Sequence, residues 1–385
     1  MNSKEYLTNK SFCPIPWTGL MYNFDGSIKT CIRSSEPIGN IQHDPIEKIV
    51  NNSSNIDTRL KMRTGERGLR CSPCYDLEKE KNSFDIISDR VFYLKELKAV
   101  DMSLYDSFTT FQLNKVDVRW SNLCNFACVY CDPEFSSKWA SEIHIDIKTP
   151  AEIKVQEFKN YIFKHVAQLK HVYMAGGEPL LMKENLEFLE LLKEKNPNVN
   201  LRINTNLSKV NTKIFDLICT FKNVHWTVSV ESIEEEYEYI RYGGSWADFL
   251  DNLKIIKKLD HKISFNMLHF ILNYKSIFEC IDYLKSIGFH NNSFIVGNLL
   301  QPEYYNIRHL PENVLELVRS ELKTRINQHP GFLLENGYRN ILEYTYIPFE
   351  KNLNEFLSQI KSLDKRRGLD SSTVFKELYK EINYG

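Results

Sequence analysis

The chain has 385 residues, 42% of them hydrophobic and 12% aromatic. At about 150 residues per domain that length suggests two or three domains with a sizeable core. Its 49 basic and 50 acidic residues nearly cancel, so total charge gives no reason to expect a nucleic acid or an anionic membrane as partner.

Residues 1–11 are polar, with Lys4, Glu5 and Lys10, and no run of eighteen apolar residues occurs anywhere. No export signal or membrane span is visible, and a cytoplasmic location is expected. In a reducing compartment nine cysteines do not read as a disulfide framework, and close spacings point to metal or redox work. Four of them, Cys13, Cys31, Cys71 and Cys74, fall in the first eighty residues. Cys124, Cys128 and Cys131 form a second group, while Cys219 and Cys280 stand alone on apolar helical stretches and are expected in the core.

In chain order, residues 17–31 carry two strand-like arms around Asp25-Gly26, a pair suited to a hairpin. Residues 46–63 read as one helix, and Cys71-Ser72-Pro73-Cys74 follows the turn formers Gly65 and Gly68. The hairpin and the returning helix can bring four thiols together. From about residue 111 strands alternate with helices. Strands are expected near 116–120, 171–175, 200–204, 225–230, 262–269 and 293–296, and helices at 152–169, 183–195, 213–221, 246–259 and 276–286. Six such units in series imply parallel strands, with functional loops at their carboxyl ends. Beyond Pro311 the pattern is mainly helical, with Leu315, Leu317, Val318 and Leu322 forming an apolar face.

The three-cysteine loop carries the chemistry. Three thiolates suit a soft metal centre, and a four-iron cluster with three protein ligands keeps one iron open for reaction. A zinc site completed by a remote cysteine or histidine fits the same three residues, and a zinc knuckle fits the four amino-terminal ones.

Cys124-x-x-x-Cys128-x-Tyr130-Cys131 resembles the signature of the radical S-adenosylmethionine (SAM) superfamily. The resemblance implies a partial (β/α)6 TIM-like barrel, a SAM-binding 4Fe-4S cluster on the three cysteines, and Tyr130 near the adenine. Gly176-Gly177-Glu178-Pro179 is similar to the family's stretch that meets the SAM amino group, and Asn204-Thr205-Asn206 to the segment lining the ribose. Ser229, with Arg241 beyond it, resembles the residues near the ribose and the methionine carboxylate; Glu231 stands where relatives often have aspartate followed by glycine. Phe12-Cys13-Pro14-x-Pro16-Trp17, Cys31 and Cys71-x-x-Cys74 resemble the twitch module, a shortened SPASM domain. That likeness implies a second, auxiliary 4Fe-4S cluster on Cys13, Cys31, Cys71 and Cys74.

The organisation expected is therefore a cysteine module at 1–100, a partial barrel at 111–300 and a helical extension at 301–385. The activity implied is reductive cleavage of SAM to a 5′-deoxyadenosyl radical that abstracts hydrogen, with a peptide or protein as the expected substrate. A sugar, nucleotide or other small metabolite is the alternative substrate, and a zinc-binding module without redox activity the alternative class. The partners implied are a reductant such as flavodoxin or ferredoxin and the substrate, with no membrane and no nucleic acid. No residue is singled out as catalytic base or hydrogen donor.

Overall fold

A computed structural model of the chain describes residues 9–79, 88–97, 102–328 and 333–383. Parts of the expected cysteine module, at 1–8, 80–87 and 98–100, lie outside the described residues. Contacts divide the chain into two compact units: residues 1–123, 146–203 and 211–224, and residues 124–145, 204–210 and 225–385.

The first unit begins with the expected hairpin. Strand β1 (Gly19–Tyr22) pairs antiparallel with β2 (Ser27–Lys29), and β2 with the short β3 (Gly39–Asn40). The hairpin does not stand apart: β1 runs parallel to β4 (Lys115–Val118), Gly19 opposite Lys115 and Tyr22 opposite Val118. Beyond β4 lie β5 (His171–Met174), also parallel, and β6 (Asn200–Thr205), whose last two residues belong to the second unit. Leu20, Val116, Val118, Val172 and Met174 are buried here. Helices Glu152–Lys164, Lys183–Lys195 and Lys213–Cys219 bury one stripe each, such as Phe188, Leu189 and Leu192, the spacing that marks a core-facing helix.

The helix expected over 46–63 is broken in two, Ile46–Ile49 and Ser53–Thr64. Asn52 makes the break, because its side chain accepts a hydrogen bond from the backbone N–H of Asn55 at 2.9 Å and starts the second helix. Asparagine favours this capping role over a helix interior. Arg59 of that helix is fully buried. It donates to the carbonyls of Pro16 (2.9 and 3.0 Å), Val50 (2.9 Å) and Phe108 (2.6 Å), so one side chain fastens three segments of the first unit.

The second unit holds β7 (Val224–Ser229) from its second residue on, β8 (Lys262–His269) and β9 (Phe294–Asn298), all parallel. Helices Glu234–Ile240, Trp246–Lys257 and Ser276–Ser286 connect them, and Glu312–Gln328, Leu333–Tyr346, Leu353–Arg367 and two shorter helices follow. The fold class is thus α/β with mainly parallel pairing, the strand and helix alternation expected of a partial (β/α)6 barrel, and a helical carboxyl end. That end is bound to the strand-connecting helices: Tyr239 donates to Asp364 at 2.6 Å and Arg325 pairs with Asp282 at 2.6 Å. Cys280 is fully buried as expected, whereas Cys219 is only partly so, since it is the last residue of its helix. Among the described residues no helix is long and apolar enough to cross a membrane.

His269, at the end of β8, is 0% exposed, packs on Phe278, and its Nε2 faces the carbonyl of Tyr274 at 3.1 Å. Burial lowers its pKa to about 4. With the folded value below the unfolded one, the neutral ring's contribution is present above pH 6.5 and lost as pH falls toward 4. Urea titrations at stepped pH should show wild type losing about 3 kcal/mol more across this window than a His269→Gln variant.

Candidate metal centres

In the first unit, Cys13, Cys31, Cys71 and Cys74 line one pocket together with Thr30, Arg33 and Arg90. The hairpin carries Cys31 back beside Cys13, the turn Leu69–Cys71 presents Cys71, and the helix Ser72–Lys79 that follows it presents Cys74. Arg90 pairs with Glu78 at 2.5 Å and donates to the carbonyl of Phe12 at 3.0 Å; Arg33 pairs with Asp89 at 2.8 Å. Burial pushes the Cys71 thiol up to about 12 and Cys74 up to about 11. Cys13 is pushed well up by burial and then by Cys71, Cys31 and Cys74. Four thiols, three of them raised by their neighbours, face a shared space, and only a bound cationic centre makes four thiolates tolerable there. The donor set therefore suits an iron-sulfur cluster.

In the second unit, residues 124–131 form a loop without strand or helix. Its shape comes from its surroundings. The N–H groups of Ala127 and Val129 donate to the carbonyls of Tyr242 and Ile240, both at 2.8 Å. Side chains of the following helix, Ser137–Glu142, take the carbonyls: Ser137 Oγ donates to Cys124 O at 3.2 Å, Ser136 Oγ to Phe126 O at 2.5 Å, and Trp139 Nε1 to Cys128 O at 2.7 Å. Ser136 also caps that helix through Trp139 N. Gly243, at φ +102°, lies so close that an added Cβ would stand 2.8 Å from Asn125 O, so only glycine lets the 240–244 segment approach the loop.

Burial raises the Cys131 thiol first, followed by Cys128, Asp132 and Cys124, so both other thiols of the loop act on it. Among the described residues no three His, Cys, Asp or Glu side chains are placed to hold a single metal ion; three thiols gathered on one loop are nonetheless a donor set for a cluster with one position left over.

The other expected residues fall into two sets. Around the loop, Arg241 Nη1 donates to Tyr130 Oη at 2.6 Å and to Glu231 Oε2 at 2.8 Å, with Arg241 and Glu231 both buried. Arg241 Nε is buried without a protein partner. Asn206 Nδ2 lies 3.9 Å from Cys124 Sγ and donates to Asn125 Oδ1 at 3.1 Å. Asn204 is the penultimate residue of β6 and half-buried, and Ser229 closes β7 opposite Asn266. In the first unit, Gly176, Gly177 and Glu178 follow β5. Gly177 sits so tightly that an added Cβ would fall 2.2 Å from Leu123 O, and Glu178 N donates to that oxygen at 2.7 Å. Leu123 directly precedes Cys124. The Glu178 carboxylate is buried and accepts from Leu180 N at 3.1 Å.

Sequence reasoning missed Ser136, Ser137 and Trp139. A serine three residues ahead of Trp139, opening a short helix, is a capping signal that was there to be read.

Comparisons with known proteins agree with this geometry. Residues 118–284 match the family profile described as the radical SAM superfamily, and residues 13–75 that of an iron-sulfur cluster-binding domain, SPASM. The GTP 3',8-cyclase of Sulfurimonas denitrificans is 24% identical over 223 residues, 56% of this chain and 63% of that protein. The FeMo cofactor biosynthesis protein NifB of Methanocaldococcus jannaschii is 30% identical over 141 residues, 34% of this chain and 46% of that protein. The chain thus spans less than two thirds of the length of these relatives. Streptococcus suis SuiB bound to precursor peptide SuiA superposes with a TM-score of 0.42 at 14% identity, over 78% of this chain and 68% of that one. The radical SAM domain implies SAM and a 4Fe-4S cluster, and the SPASM domain an additional auxiliary cluster. Residues 118–284 thus form a radical SAM domain with a cluster-binding module at 13–75 placed ahead of it, the organisation of an enzyme of the radical SAM class.

Proposed function

We propose that this chain reductively cleaves SAM and uses the resulting radical to abstract hydrogen from a substrate. The observation that carries the reading is the gathering of Cys124, Cys128 and Cys131 in one unit with Arg241, whose buried Nε lacks a protein partner. These thiols would hold a four-iron cluster, which when bound and reduced would supply the one electron that breaks a sulfur–carbon bond of SAM, leaving methionine and the radical that takes the substrate's hydrogen atom.

The chain's own residues bind and orient. Arg241 offers a full charge and a spare N–H to the methionine carboxylate, as a guanidinium can, while its Nη1 fixes the Tyr130 phenol. Asn206 sits at the Cys124 end of the loop. On the same reading Gly176, Gly177 and Glu178 meet the amino group through their backbone, and Asn204 and Ser229 the ribose. Cys13, Cys31, Cys71 and Cys74 hold the auxiliary cluster. The division into 1–100, 111–300 and 301–385, a cytoplasmic location and a flavodoxin or ferredoxin as reductant belong to the same proposal.

For the substrate, the named curated relatives favour a small molecule, since GTP and the FeMo cofactor stand in their names. A peptide or protein, expected from the sequence, is the competing outcome of the assay below.

Anaerobically reconstituted wild type should hold about eight irons per chain, and a Cys124→Ala/Cys128→Ala/Cys131→Ala variant about four. Stoichiometric zinc in place of iron would sink the redox reading. With SAM and dithionite, wild type should release 5′-deoxyadenosine and the triple variant at least about 100-fold less, since the electron source is gone. Stimulation of that release by nucleotides marks a small-molecule enzyme; stimulation only by a peptide fraction marks the other class.

A further inference from the structure

The carboxyl-terminal helices, to which the sequence assigned no chemistry, reach the cysteine loop through one side chain. Arg367 is the last residue of helix Leu353–Arg367, and its side chain is 2% exposed. Its Nη2 donates to Ala127 O at 2.8 Å, and its Nε donates to both carboxylate oxygens of Glu142 at 3.1 Å. The guanidinium lies 4.7 Å from the ring centre of Trp139 and 4.2 Å from that of Tyr242. Both aromatic residues serve the loop themselves, Trp139 through Cys128 O and Tyr242 through Ala127 N. Nη1 is buried without a protein partner.

We propose that Arg367 is a positioning residue for the SAM-cluster loop, fixing its path at Ala127 and placing a buried positive charge beside Cys128 that favours the reduced cluster. The proposal rests on the radical SAM reading of the three cysteines. Its electrostatic part follows from place: the guanidinium is 2% exposed and donates to the carbonyl of Ala127, the residue that directly precedes Cys128. A cation buried in low dielectric is weakly screened, so its removal acts on any negative charge gained at this site. Glu142 is the counter-charge, at 14% exposure. Removing it instead leaves the Arg367 charge less compensated.

The test is a redox titration, by electron paramagnetic resonance, of full-length reconstituted protein, following the cluster whose signal changes when SAM is added. Arg367→Met is expected to move its midpoint potential negative and Glu142→Gln to move it positive, with the auxiliary cluster unmoved in both. Arg367→Lys, which keeps the charge but not the planar fork, should hold the potential near wild type while altering the spectral change on SAM addition. A purely structural role predicts no opposition of sign. Unchanged potentials in both Arg367→Met and Glu142→Gln, or shifts in the same direction, overturn the proposal. Where Arg367→Met loses its iron, the Glu142→Gln sign alone decides in the same way. A wild type with no iron at the three cysteines overturns the underlying reading and this proposal together.

Discussion

The three thiols of the proposed cluster site, Cys124, Cys128 and Cys131, sit on a loop that is neither strand nor helix. The consequence is that residues 124–131 have no ladder to satisfy their peptide groups, and a buried peptide group left unpaired costs about 1 to 3 kcal/mol. The second unit is organised around meeting that demand. Two N–H groups go to the carbonyls of Ile240 and Tyr242, and the carbonyls of Cys124, Phe126, Ala127 and Cys128 go to Ser137, Ser136, Arg367 and Trp139. The loop is therefore held by three stretches of chain, the helix that follows it and two distant ones, at 240–242 and 367. Gly243 belongs to this arrangement, since the 240–244 segment can lie against Asn125 only without a side chain there.

What could be read from the sequence is what repeats or what is local. Helices at Lys183–Lys195 and Ser276–Ser286 were legible to the residue because each shows an apolar stripe closed by polar ends. The strands were legible because they are short, branched and aromatic runs followed by turns. The cysteine groups were legible because thiol spacing is a chemical statement independent of fold. The split at Asn52 was missed because an apolar stripe continues across it while a single side chain starts a new helix. The parallel pairing of β1 with β4 was invisible for a deeper reason: the strands are almost a hundred residues apart and nothing in four residues names a partner. Arg367 is the same case at the site. A side chain reaching a backbone carbonyl 240 positions away leaves no periodicity and no motif.

The charges around the loop show how the site differs from a merely stable core. Glu231 and Arg241 are 2% and 4% exposed, and a buried ion pair gains little over well-packed apolar groups once desolvation is counted. Arg367 repeats the pattern with Glu142. Each arginine is held by a carboxylate and by an uncharged acceptor, Tyr130 in one case and the Ala127 carbonyl in the other, and each keeps one buried N–H unspent. Stability alone would favour replacing such pairs. Two cations fixed by carboxylates beside thiols that burial holds neutral are instead what a site needs if it is to accept negative charge on loading and again on reduction. Pairing keeps each arginine oriented and tolerable in the unloaded protein, and the uncommitted N–H groups leave part of its field for what binds. In the reading proposed above, the same electrostatics that make these pairs poor stabilisers make the loop a competent host for an anionic cluster and a carboxylate-bearing cofactor.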